Sequence, residues 1–355
     1  VRAGIDLVIE LPVVFAVRSA QFFARGAIRL LNALGIVNYV CFGTESPDPL
    51  LLTSAAGAID NPQVTTLLKA GLNSGKTYAA ALADALAADS GIAPAVLAAP
   101  NNILAIEYLR ALKKYAPSLT PVLVKRQQAD HHSPIIYDHI ASAVAIRQAL
   151  LANLQLTNEL RSTMPVSSQN IITSLLAAKC APVTLDSLSS LILARLRTSS
   201  APELFQVPEV SEGLQFKLYD SAIRAISATD LLAKVKSKRY LRTRLQRILL
   251  WTLLGIKKDQ LLLFDKSGPL YVRILGCNQN GRKLLNSIKN NSQIPLVTKT
   301  SQFINGRQKR NQLSLTPLQQ MLAIDITATD IFVLGIPSPR QIAGGRDFLR
   351  SPVVI

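Results

Sequence analysis

Little in this chain of 355 residues announces a reaction. It has three cysteines, Cys41, Cys180 and Cys277, far apart and odd in number. They fit the reduced core thiols of a cytoplasmic protein better than a disulfide framework or a zinc site. It also has three histidines, His131, His132 and His139, all in one loop with no cysteine beside them, so no metal centre is expected. No HExxH, CxxC, GxSxG or Walker motif occurs, and no GxGxxG follows a strand. Those absences argue against a zincin, a thiol-redox protein, a serine hydrolase and a dinucleotide-binding enzyme. Gly71–Thr77 has three residues between its glycines where a P-loop needs four, and it follows a helix; a helix-ending glycine explains it. No apolar run reaches the length of a membrane span, and no basic segment leads into an apolar core at the start, so neither a span nor a signal peptide is expected. Acids are the other shortage: 22 Asp and Glu stand against 39 Lys and Arg, a net charge of +17.

That charge is unevenly spread. Residues 1–150 hold 12 Lys/Arg and 10 Asp/Glu, whereas residues 151–355 hold 27 and 12. A near-neutral first half and a basic second half divide the chain into two expected domains, 1–150 and 151–355, the first suited to chemistry and the second to a polyanion. Nearly half of the residues are apolar, which is ample for two cores.

The first half reads as α/β. Leu7–Glu10 is a short apolar strand stopped by Pro12, Arg18–Leu34 has helical periodicity ended by Gly35, and Asn38–Phe42 is an apolar strand. Short connections between these three predict a βαβ unit with buried parallel strands. Asn61–Ala87 reads as two helices, and Pro100-Asn101-Asn102 opens an amphipathic one, with one asparagine as its N-cap and the other left for a ligand. The stretch Pro121–Leu150 is the most suggestive. A strand, Val122–Val124, delivers Lys125 and Arg126 at its carboxyl end; a polar loop follows; then Ser142 opens a helix carrying Arg147 in its second turn. Ligands in open α/β sheets bind beyond the carboxyl ends of strands, and helix starts attract anions, so this stretch predicts a phosphate site.

After Leu151 helical signals dominate, in Ser168–Ala178, Leu185–Leu196, Glu212–Ile226 and Ala228–Gly255. The last carries Lys234, Lys236, Lys238, Arg239, Arg242, Arg244 and Arg247 with no acid between Lys234 and Lys258. Leu241, Leu245, Ile248 and Leu249 make its buried stripe, so the cations form a basic face, and Tyr240 among them is placed to stack on a base. Such unpaired charge predicts a nucleic-acid contact. Leu261–Phe264, Leu270–Leu275 and Ile294–Val297 read as strands, Phe303–Asn311 as a basic loop and Leu315–Ala323 as a helix.

Several stretches together carry a resemblance. GIDLVIELP, FFARGAIRLLNALGI, FGTES, PNNILAIEYLRAL, VKR, IASAVAIR, SKRYLRTRLQRILLWTLLGI and YVRILGCNQNGRKLL resemble, in this order, the bacterial tRNA(Met) cytidine acetate ligase family. The resemblance implies a nucleotidyltransferase-like Rossmann domain (a parallel sheet flanked by helices), then a mainly helical basic domain with a small α+β C-terminal part. It implies activation of acetate by ATP to acetyl-adenylate, with Mg2+, and transfer of the acetyl group to N4 of the wobble cytidine of elongator methionine tRNA in the cytoplasm. No DNA or membrane partner is expected. Gly43, Asn102, Lys125 or Arg126, Ser142 and Arg147 resemble the family's ATP contacts, and the basic stretch, with Lys236, Lys238, Arg239, Arg242, Arg244 and Arg247, matches the part expected to hold tRNA. The family opens with a strand and a His-x-Gly-His motif on the ATP phosphates; the sequence has no such motif. The expectation is therefore a chain without that segment and its first strand, with the catalytic histidines elsewhere and adenylation weak or absent. Two other readings stay open: a nucleotidyltransferase acting on a small phosphorylated substrate, and a non-catalytic RNA-binding protein.

Overall fold

The structure, a computed structural model, describes all residues except 47, 77, 94–95, 98, 128–135, 138, 212, 238–239 and 312–313. Strand β1 (Leu7–Glu10) leads into a one-turn helix α1 (Val13–Ala16) and a long helix α2 (Ala20–Ala33). Strand β2 (Tyr39–Thr44) follows, then helices α3 (Pro49–Ala58), α4 (Pro62–Asn73), α5 (Tyr78–Ser90) and α6 (Pro100–Tyr115), and strand β3 (Thr120–Lys125). A short hairpin, β4 (Ile136–Tyr137) and β5 (Ile140–Ala141), opens α7 (Ala143–Asn153). Helices then succeed one another: α8 (Asn158–Ser162), α9 (Val166–Ala177), α10 (Ser189–Thr198), α11 (Ala201–Phe205), α12 (Leu214–Arg224), α13 (Ala228–Val235), α14 (Arg242–Leu254) and α15 (Lys258–Ser267). The chain closes with β6 (Val272–Cys277), α16 (Gln279–Asn291), β7 (Leu296–Val297), α17 (Gly306–Asn311), α18 (Pro317–Phe332), α19 (Arg346–Leu349) and β8 (Val353–Val354).

β2 and β3 pair in parallel, from Tyr39 opposite Thr120 to Thr44 opposite Lys125, with the α3–α6 layer as their crossover. The expected βαβ unit of β1, α2 and β2 does not form. β1 instead pairs antiparallel with β6, in a sheet where β6 also pairs in parallel with β7 and β8. The start of α16 fixes this arrangement. Asn278 N donates to Asp6 O at 3.0 Å, Asn278 Nδ2 donates to the Asp6 carboxylate at 2.7 Å, and a Cβ on Gly281 would lie 2.0 Å from Asp6 O. Only glycine lets that helix start approach so closely.

Helix α2 is sandwiched, which a single apolar stripe did not foretell. Ile28 packs with Val40, Leu112 and Leu119, while Leu30 and Leu34 pack with Val272, Ile274 and Ile288. α1 reaches the other way: Val14 and Phe15 join the large core of the helical half, around Trp251, Phe264 and Met321. The expected division at residue 150 is thus crossed by β1, α1 and α2.

Other expectations change as well. β2 and β3 are not buried on both faces: Tyr39, Cys41, Val122 and Val124 are exposed, so Cys41 is not a core thiol, whereas Cys277 is buried. Leu261–Phe264 lies in α15, with Leu261 and Phe264 buried at helical spacing, and Arg307–Asn311 is helical in α17. The helix expected over 228–255 is two, α13 and α14, and Leu241 is the exposed N-cap of the second rather than part of its buried stripe. One segment, Pro317–Gly335, is long and apolar enough to cross a membrane by length and composition. Its Met321, Leu322, Ile324 and Ile326 lie in the protein's own core.

Candidate functional site

The carboxyl ends of β2 and β3 meet. Arg126 N donates to Thr44 O at 2.8 Å, continuing the ladder one residue past the strands. Beyond β2 the turn Gly43–Ser46 is held from the start of α6. Asn102 Oδ1 accepts from Glu45 N and Ser46 N, each at 3.0 Å, and Asn102 Nδ2 donates to Val96 O at 2.8 Å. The Glu45 carboxylate returns the contact, accepting from Asn101 Nδ2 at 2.7 Å and from Asn102 N at 3.1 Å. Glu45 therefore caps α6 in trans and sits on the positive end of its dipole. One expectation is corrected: neither asparagine is the N-cap, since Ala99 holds that position without a side-chain bond. Buried Asn102 turns its carbonyl oxygen to the turn and one amide N–H to Val96 O. Its role is to position the turn, and Glu45, which the sequence reading passed over, is its counterpart. The spacing of FGTES from PNN holds no local signal for that pairing, although both stretches carried the resemblance.

Beside this locked turn, Gly43 and Lys125 are exposed and Arg126 is half-buried. Among the described residues a Cβ built on Gly43 meets nothing nearer than Val124 O at 3.9 Å, so they leave the space over Gly43 open. Ser142 is fully buried, and its Oγ accepts from Ala145 N at 3.0 Å as the N-cap of α7; Arg147 is exposed one turn further on. Residues 128–135, with His131 and His132, lie outside the described residues, and His139 is exposed on a turn. The structure thus brings Gly43, Asn102, Lys125 and Arg126 to one strand end. Ser142 and Arg147 open a separate helix beyond the loop.

The basic stretch is less free than its sequence. Arg247 pairs with both oxygens of Glu209, at 3.0 and 2.7 Å. Arg244 donates to Glu209 O at 2.7 Å and to Ser211 Oγ at 3.1 Å, and its guanidinium lies 5.3 Å from the centre of the Tyr240 ring. Both arginines hold the 209–211 turn, which the local count of acids could not see. Tyr240 is buried and so is not placed to stack on a base. Lys236 and Arg242 are exposed, and Lys238 and Arg239 lie outside the described residues.

A second polar cluster was missed altogether. At the carboxyl end of β1, Glu10 shares a buried site with Asp325 of α18. Val13 N donates to Asp325 Oδ1 at 2.8 Å, and the Tyr271 hydroxyl donates to Asp325 Oδ2. Arg273 bridges Glu10 at 3.3 Å and Asp347 at 3.0 Å. Burial raises the Asp325 carboxyl to about 8, reinforced by the charge of Glu10. Burial also raises Glu10, against the pull of Arg273. The pair is best described as sharing a proton. These residues lie far apart in sequence, and no motif joins them.

A parallel strand pair with cations and a locked polar turn at its carboxyl end has the build of a nucleotide-binding α/β protein. The comparisons agree on that class: residues 1–347 match the family model of the HIGH Nucleotidyl Transferases. The chain is 37% identical to the tRNA(Met) cytidine acetate ligase of Syntrophomonas wolfei, over 99% of its own length and 85% of that protein's. It is 35% identical to that of Acetivibrio thermocellus, with the same coverage. Among solved structures, Thermotoga maritima TmcAL in its apo form superposes with a TM-score of 0.91 at 28% identity, covering 100% of this chain and 85% of that one. The same protein bound with alpha-thio ATP superposes at 0.88. The chain belongs to the tRNA(Met) cytidine acetate ligase family.

Proposed function

We propose that this protein serves the ATP-dependent acetylation of elongator tRNA(Met) at N4 of its wobble cytidine. One observation carries the reading: the match, at 37% identity over 99% of this chain and 85% of the relative, to a protein named for that ligation. In the first step an acetate oxygen attacks the α-phosphorus of ATP and pyrophosphate leaves, giving acetyl-adenylate. In the second the cytidine N4 amine attacks the acetyl carbonyl, AMP leaves, and the amine loses a proton. Charge moves onto the pyrophosphate in the first step, so fixed cations at the strand end stabilise it. Lys125 and Arg126 fill that role, Arg126 with the fork suited to two phosphate oxygens. Adjacent strand positions point to opposite sides, so the two cations reach different parts of the ligand. Gly43 allows the nucleoside to approach the backbone closely. Asn102 acts through the turn it holds, and Ser142 and Arg147 present a capped helix start and a further cation. Residues 1–355 include no His-x-Gly-His, so the groups assigned to them are those that bind and orient.

Mg2+ enters as the companion of the ATP phosphates. Among the described residues no group of three or more His, Cys, Asp or Glu side chains stands together to hold a resident ion. The reading carries with it acetate as second substrate, tRNA as partner and a cytoplasmic location.

The test is ATP binding by calorimetry, run beside filter retention of an elongator tRNA(Met) transcript and acetate-dependent exchange of pyrophosphate into ATP. The double change Lys125→Ala with Arg126→Ala is expected to abolish ATP binding and leave tRNA retention intact. ATP binding that survives both changes would remove this strand end from the reaction. Acetate-dependent exchange by the unaltered chain would assign adenylation to these residues. ATP binding without exchange would restrict them to binding.

A further inference from the structure

Helix α12 buries Leu214, Leu218, Ser221 and Ala222 against the helical core. Its outward face is not polar. Phe216 is 58% exposed, Tyr219 38% and Ile223 52%, a stripe at helical spacing. A second stripe runs beside it: Lys217, Asp220, Ser221 and Arg224, with Lys234 of α13, line a cavity of about 520 Å³. Among the described residues neither Lys217 nor Arg224 is ion-paired with a carboxylate, while Lys234 is paired with Asp230. Exposed rings bordered by a cationic groove are the arrangement that single-stranded nucleic acids use, with bases on the rings and phosphates in the groove.

We propose that this outer face of α12 is a stacking surface for unpaired nucleotides of the RNA substrate, with Phe216 and Tyr219 taking bases and Lys217, Arg224 and Lys234 taking the flanking phosphates. The proposal deepens the tRNA reading and rests on it. Charge complementarity selects the occupant. Residues 151–355 carry 27 Lys/Arg against 12 Asp/Glu, and a second copy of this chain docking face to face would set these cations against one another. Asp220 repels phosphate, yet its carboxylate suits the exocyclic amine of a base. The face also supplies what the neighbouring basic stretch does not, since Tyr240 is buried and Arg244 and Arg247 are held at the 209–211 turn.

The experiment measures binding of an elongator tRNA(Met) transcript, and of its isolated anticodon stem-loop, at several salt concentrations. Phe216→Ser and Tyr219→Ser are each expected to lower affinity about tenfold with the salt dependence unchanged, as loss of one base stack does. Phe216→Tyr keeps a ring and should keep affinity. Lys217→Ala and Arg224→Ala should each flatten the slope of log K against log salt by about 0.7 to 0.9. All four substituted positions are exposed or partly exposed, and an unchanged melting temperature confirms folding. Affinity that is the same in the serine variants as in the parent overturns the proposal. So does an equal loss for a fully paired RNA duplex, and so does a change in oligomeric state in place of RNA affinity. If the parent chain itself fails to bind tRNA, the functional reading falls and the proposal with it.

Discussion

Two strand ends in this molecule are tied to a helix by polar side chains, and they are built in opposite ways. At β2, Asn102 and Glu45 exchange hydrogen bonds between a turn and the start of α6, and the surface beside them stays open over Gly43 and Lys125. At β1, Glu10, Asp325, Arg273 and Asp347 fill the end of the strand with the protein's own charges. A strand end is a place where a sheet leaves polar groups to be satisfied. Whether it becomes a ligand site depends on how much of that demand the chain has already met. The first end is locked and open; the second is locked and closed.

The closed end offers the largest expected effect. Arg273→Ala leaves Glu10 and Asp347 buried without their cation, and breaking one side of a buried charge network costs about 3–5 kcal/mol. Urea denaturation should show that loss. A cost under about 1 kcal/mol would mean that water reaches the cluster and that it is not closed.

Asn102→Ala comes next. It removes three partly buried hydrogen bonds, to the N–H groups of Glu45 and Ser46 and to the Val96 carbonyl, a loss of about 3 kcal/mol at about 1 kcal/mol net for each. If the turn positions the nucleotide, ATP affinity in calorimetry falls with it. Destabilisation with full ATP affinity would separate the lock from the open surface.

The difference between the two ends also decides what could be read in advance. Strand-end cations such as Lys125 and Arg126 are local, and so is the Ser142 cap. The role of Asn102 in holding the turn required Glu45, over fifty residues away, and a cap supplied in trans leaves no local trace. The Glu10–Asp325 pair spans nearly the whole chain. β1 was legible as a strand but its partner was not, because an apolar run of four residues is compatible with either sheet until Asn278 and Gly281 fix its neighbour. The same limit explains Arg244 and Arg247: a count of charges along the sequence cannot see Glu209 folding back onto them.

Acidity separates the two ends by a smaller effect. The Asp325 carboxyl lies at about 8 in the folded protein, above its ordinary value of 3.8, so the folded state binds the proton more tightly. Stability from this group is full below the ordinary value and is lost as pH rises toward about 8, beyond which nothing more is lost. Glu10, also raised, acts in the same direction. Denaturation midpoints should fall between pH 6 and 8, by a limiting slope of about 1.4 kcal/mol per pH unit for one proton. Asp325→Asn keeps the size of the side chain and should flatten the profile. A profile that rises over this range, or one unchanged in the variant, would show that the pair does not share a proton.

Gly43→Ala should change stability least, and that is its use. Among the described residues the added methyl group meets only Val124 O, at 3.9 Å, an ordinary contact, and a backbone without a positive φ accepts alanine without strain. The fold should therefore shift by less than about 0.5 kcal/mol, as surface substitutions do. If the nucleoside of ATP lies against this backbone, the methyl group occupies its place and ATP affinity drops in calorimetry while the melting temperature holds. Asn102→Ala perturbs fold and ligand together; Gly43→Ala perturbs the ligand alone. An alanine variant that binds ATP as tightly as its parent would leave the open end of β2 as mere surface, and would move the search for the nucleotide to the Ser142–Arg147 helix start.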